Sequence, residues 1–110
     1  LDGHHVATVP IGKGPDGVAF DAQRGLVFST NGEDGTLTIV HQDDADHYSV
    51  VANASTQASA RTLALDPKTH RVYTVAAEFA PAPAATAAEP HPRRSVIDGT
   101  FTLLAIGEKP

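Results

Sequence analysis

Asp21 and Asp66 stand 45 residues apart, as do Val27 and Val72, and each pair sits in similar apolar surroundings. The first copy reads Pro15-Asp16-Gly17-Val18-Ala19-Phe20-Asp21, then Leu26-Val27-Phe28-Ser29-Thr30-Asn31. The second reads Leu63-Ala64-Leu65-Asp66, then Arg71-Val72-Tyr73-Thr74-Val75. A fixed period of this length with strand-like content is the pattern of β-propeller blades. The expected fold class is all-β: about two four-stranded antiparallel blade units, at residues 1–47 and 48–106. An ordinary antiparallel sandwich is the alternative that the strand pattern leaves open. Rings of this kind close with roughly 4–8 blades, and two units cannot bury both ends of their stack. The chain is therefore expected to pair with the remainder of a larger propeller.

The local signals divide each unit into strands. Residues 4–9 are expected to form an outer strand, ended by Pro10 and a glycine-rich loop at 12–17. Val18-Ala19-Phe20 is a continuously apolar strand, and 21–25 is a turn in which Gly25 is free to take positive φ. Asn31-Gly32 and Asp34-Gly35 are hairpin dipeptides between the strand at 26–30 and the alternating strand Thr36-Leu37-Thr38-Ile39-Val40. An acidic loop at 42–46 leads to an outer strand at 48–52. In the second copy, strands at 62–65 and 72–75 follow the same plan around a turn at 66–70.

The third strand of the second copy arrives late. Gly99-Thr100-Phe101-Thr102-Leu103-Leu104 matches Gly35-Thr36-Leu37-Thr38-Ile39-Val40 at an offset of 64 residues, so 19 have been inserted, around 77–95. Pro81, Pro83, Pro90 and Pro92 deny this insert a long helix, and an extended flap is expected.

Composition excludes several functions. A net charge of −5 with Arg93-Arg94 as the only basic pair lacks the footprint of a nucleic-acid binder. No apolar run approaches the ~18 residues of a membrane span. The absence of cysteine removes disulfides, thiolate metal sites and thiol nucleophiles together.

Phe28-Ser29-Thr30-Asn31 resembles the Tyr-Val-Thr-Asn motif of the YVTN-repeat (YncE-like) β-propellers. Pro15-x-Gly17-Val18-Ala19-Phe20 and the tract from Gly35 to Val40 sit where that repeat places its first and third strands. The second copy, Tyr73-Thr74-Val75-Ala76, keeps the tyrosine and loses the asparagine. The resemblance covers all but the insert. It implies a seven-bladed ring of which this chain is the C-terminal part, exported to the periplasm or cell surface, and without established catalysis. Related propellers include lactonases and quinoprotein dehydrogenases, whose metal- and quinone-binding residues have no matching motif here.

In such a fold the loops at 12–17, 31–35 and 55–61 and the insert share one end of the sheets. Ligand candidates there are Asp16, Asn31, Glu33, Asp34, Arg61, Glu78, His91, Arg93 and Arg94. Asn31, Glu33 and Asp34 carry hard oxygens suited to Ca²⁺, though hairpin geometry alone accounts for Asn-Gly and Asp-Gly. Arg61 either holds an anion near the axis or bonds a neighbouring blade. Asp43-Asp44-Ala45-Asp46-His47 lacks the glycine and terminal glutamate of an EF-hand loop and reads as a solvated turn. His4-His5 point to opposite faces of a strand and suit a metal poorly. Asn53-Ala54-Ser55 is a glycosylation sequon by pattern. No catalytic residue, metal site or cofactor is assigned. The expected function is a noncatalytic binding or scaffold module for an unknown small molecule or protein. The alternative is a lactonase-like hydrolase of a small sugar lactone, using a metal or an acidic pair.

Overall fold

Turn chemistry sets the first sheet. Asp21 accepts the amides of Gln23 and Arg24 on Oδ1, and Gly25 closes the turn at φ +65°. This joins β1 (Pro15–Asp21) to β2 (Leu26–Asn31). A four-residue connection with Gly35 at φ +65° leads to β3 (Thr36–Asp44), and a tight turn at Ala45 and Asp46 leads to β4 (His47–Ser55). The computed structural model describes residues 2–107 and holds these strands in the order β1-β2-β3-β4, antiparallel throughout. A second sheet has the order β5-β6-β7, from β5 (Leu63–Asp66), β6 (Arg71–Ala76) and β7 (Thr102–Ile106). The architecture is all-β, and no helix is present among the described residues. None is therefore long and apolar enough to cross a membrane.

The strands at 18–20, 26–30, 36–40 and 48–52 lie inside β1 to β4, and those at 62–65 and 72–75 largely coincide with β5 and β6. Residues 4–9 differ from expectation, since they form no strand. His4 to Ala7 and Val9 instead line a groove over the first sheet's face with Val18, Val27 and Val40. A segment lying over a face, instead of along an edge, finds no ladder of backbone partners, so its apolar content alone does not make it a strand. The strand at 48–52 joins the first sheet through β3, so that sheet runs from 15 to 55.

The core lies between the sheets. Phe28, Leu37 and Val72 are buried together, flanked by Leu26, Ile39 and Ala54 of the first sheet and Leu63, Leu65 and Ile106 of the second. Each fully buried side chain of this size contributes about 1.5–3 kcal/mol. The period of 45 shows how the sheets meet. Val18, Phe20 and Val27 correspond to Leu63, Leu65 and Val72, while Phe28 corresponds to Tyr73. Leu63, Leu65 and Val72 face the first sheet, whereas their counterparts are on the first sheet's far side. The sheets are thus stacked in the same sense, front of one on back of the other.

Two polar groups reinforce the junction. His70 takes Gly25's place in the second turn and its conformation too, at φ +61°. Its Nδ1–H donates to Oδ2 of Asp21 at 2.6 Å, with both side chains largely buried. The hydroxyl of Thr30, buried in the first sheet, donates to the carbonyl of Arg61 ahead of β5.

Candidate functional site

One end of the two sheets is a knot of loops centred on Gly32. The amide of Gly32 donates to the carbonyl of Gly14 at 2.9 Å, and Ser59 N–H donates to the carbonyl of Gly32 at 2.8 Å. Thr56 N–H donates to the carbonyl of Gly35 at 2.7 Å. The loops at 12–17, 31–35 and 55–61 are therefore one hydrogen-bonded assembly, and Ser59 extends it to the base of the insert. Its hydroxyl donates to the carbonyl of Ala77 at 2.8 Å and accepts the amide of Ala77 at 3.1 Å. Ser59 is at φ +78°, a conformation unusual for a residue with a side chain. The sequence Ala58-Ser59-Ala60 carries no signal for this role, because the constraint comes from two neighbouring loops.

The candidate residues divide within this frame. Asn31 is fully buried and occupied: its Nδ2 donates to Thr36 at 3.1 Å and Thr38 at 2.8 Å, and its Oδ1 accepts from Ser29 at 3.1 Å. Thr38 passes the chain on to Asn53 Oδ1 at 2.8 Å, so this row of polar groups knits β2, β3 and β4 together. Asp34 accepts the amide of Lys13 at 2.8 Å and so fixes the 12–17 loop. Glu33 is exposed, its stem against Gly14. Asp16 is the extra residue of a bulge in β1 and borders the groove. Arg61 is exposed, and its side chain lies over Gly32, where an added Cβ would come within 2.6 Å of the Arg61 Cγ. Among the described residues the Arg61 guanidinium makes no ion pair.

The insert stands apart. Phe79 and Val96 form an isolated antiparallel bridge, and Arg94 clasps the stem, donating to the carbonyls of Ala80 at 2.8 Å and Phe79 at 3.0 Å. Its guanidinium lies 5.9 Å from the centre of the Phe79 ring. Glu78 takes part through its backbone, which bonds Thr100 and Ile97. Residues 81–91 are exposed throughout, and His91 and Arg93 are exposed on the outer part of this arm. Only the base of the insert, at Ala77, is tied to the knot.

At the opposite end, the acidic hairpin is internally paired. His41 meets Asp43 and His47 meets Asp44, each at 2.7 Å. The His41 hydrogen bond holds the Asp43 carboxyl below the ordinary aspartate value; for Asp44 the Asp46 amide and then His47 do the same. No three His, Asp or Glu side chains converge as a metal site among the described residues. Comparison with protein families, curated proteins and solved structures returns no match to this chain.

Proposed function

We propose that the two sheets are consecutive blades of a YVTN-type β-propeller and that the chain serves as a noncatalytic binding or scaffold module. The observation that carries this reading is the same-sense stack. A closed sandwich puts equivalent faces of its sheets inward, whereas propeller blades repeat front to back. Stacking in this sense gathers the loops from one end of both sheets into the Gly32 knot. At the knot's rim Arg61 presents a planar, permanently charged donor group suited to carboxylate or phosphate. An exported protein is the setting that the family resemblance suggests for such a module.

The test uses the whole chain and inorganic phosphate as the probe, followed by amide chemical shifts. Saturable shifts at Gly32 and Arg61 in the millimolar range, abolished by Arg61→Ala, support a binding role at the knot. Phosphate shifts that are unchanged in Arg61→Ala remove Arg61 from it. Parallel incubation with a small sugar lactone checks the hydrolase alternative. Enzyme-dependent ring opening above the buffer rate would replace the noncatalytic reading.

A further inference from the structure

The junction between the sheets joins two different surfaces, and the molecule carries a second, open copy of each. The back of the second sheet presents Tyr73, Val75 and Leu103, with Val75 and Leu103 paired across β6 and β7. Tyr73 occupies the place of Phe28; by pairing register Leu103, opposite Val75, occupies that of the fully buried Leu37, and Ala105 that of Ile39, two residues later than the sequence offset of 64 places them. Phe101 lies one residue before β7. Yet Phe101 is 71% exposed and Leu103 63%. At the other end Val18 and Phe20 hold the positions of Leu63 and Leu65, and they are 74% and 49% exposed. Of the large exposed apolar side chains of the strands, Val18, Phe20 and Leu103 thus fall on the two open halves of an interface that the molecule already forms once, while Val51 sits at a bulge in β4.

We infer that a second copy of this chain docks end to end, the Val18–Phe20 face of one copy seating on the Tyr73–Leu103 face of the next. The occupant follows from continuity: the partner surface needed at each end is the one carried at the other end. Because the two surfaces differ, the contact is heterologous, and repeated addition gives an open stack or a closed ring. The copy–copy contact lacks one reinforcement of the internal junction. Asp66 stands where Asp21 does, but the position that would answer it is Gly25, not a histidine. Asp66 instead accepts from the Lys68 amide and the Thr69 hydroxyl of its own turn. Association is therefore weaker than the internal contact and depends on concentration. The inference rests on register and exposure and is independent of any ligand at the Gly32 knot.

The experiment is sedimentation velocity on the 110-residue chain and on two double variants. Phe101→Glu with Leu103→Glu blocks one end; Val18→Glu with Phe20→Glu blocks the other. The unaltered chain is expected to form species larger than a dimer as concentration rises. Each variant alone should associate at least about tenfold more weakly, while an equimolar mixture restores a 1:1 dimer through the two intact ends. That restoration also shows that both variants are folded. A chain that stays monomeric at millimolar concentration overturns the proposal and leaves further blades of a larger propeller, or a different protein, as the partner for these faces. Variants that still self-associate, or fail to pair when mixed, overturn it as well.

Discussion

Asp21 serves its own turn and the neighbouring sheet with one carboxylate. Burial opposes its ionisation, but the His70 hydrogen bond, the Arg24 amide, the His70 charge and the Gln23 amide together outweigh it and hold its pKa below the ordinary value. A carboxylate with a depressed folded-state pKa stabilises the fold above its unfolded value, near 3.9, and that contribution is lost as pH falls through the folded value. Asp21→Asn should therefore lower stability at pH 7, and the gap from the unaltered chain should shrink below about pH 4, as read by denaturant melts across pH. His70 offers an ordered pair of outcomes. His70→Ala loses the charged hydrogen bond and keeps a costly positive φ, whereas His70→Gly loses the bond but relaxes the backbone. The alanine variant should be the less stable by about 1 kcal/mol. Gly35→Ala combines positive φ with a Cβ placed 2.8 Å from the Ala58 backbone nitrogen, so it should cost about 1–3 kcal/mol in the same melts.

The elements owe their stability to the junction and their loop geometry to shared hydrogen bonds. Phe28→Ala should cost about 3–5 kcal/mol by opening a cavity between the sheets. Ser59→Ala removes both links to Ala77, so faster hydrogen exchange at the Ala77 amide is expected with a smaller loss of global stability. Replacing residues 81–93 with a short turn should leave the melt nearly unchanged, because the arm is clasped at its own stem by Phe79, Val96 and Arg94. The strands themselves were legible in the residues. Apolar tracts bounded by glycine and aspartate mark β1, β2, β5 and β6, and alternation marks β3. Residues 4–9 misled because an apolar-rich tract ended by a proline becomes a strand only where an edge is free to pair with it. In the candidate site, the gathering of three loops and the insert's base was readable from strand order. The role of Asn31 was not, since its neighbours Thr36, Thr38 and Ser29 become partners only once β2 and β3 are in register. Ser59 and the Asp21–His70 pair depend on contacts between sheets, which spacing along a single chain does not encode.

At the scale of the molecule, the two ends are equivalent in kind but unequal in access. Leu103 is exposed beside the half-buried Tyr73 and Val75 at one end, whereas at the other His4 to Ala7 and Val9 line a groove with Val18. A tethered segment on a docking surface is an intramolecular competitor, present at a high effective concentration however dilute the protein. Removing residues 1–9 should lower the concentration at which copies associate and leave the core between the sheets intact. Sedimentation and thermal melts of the shortened chain measure both. The segment before β1 is in this sense a throttle: its stickiness sets how crowded the solution must become before one copy recognises the next.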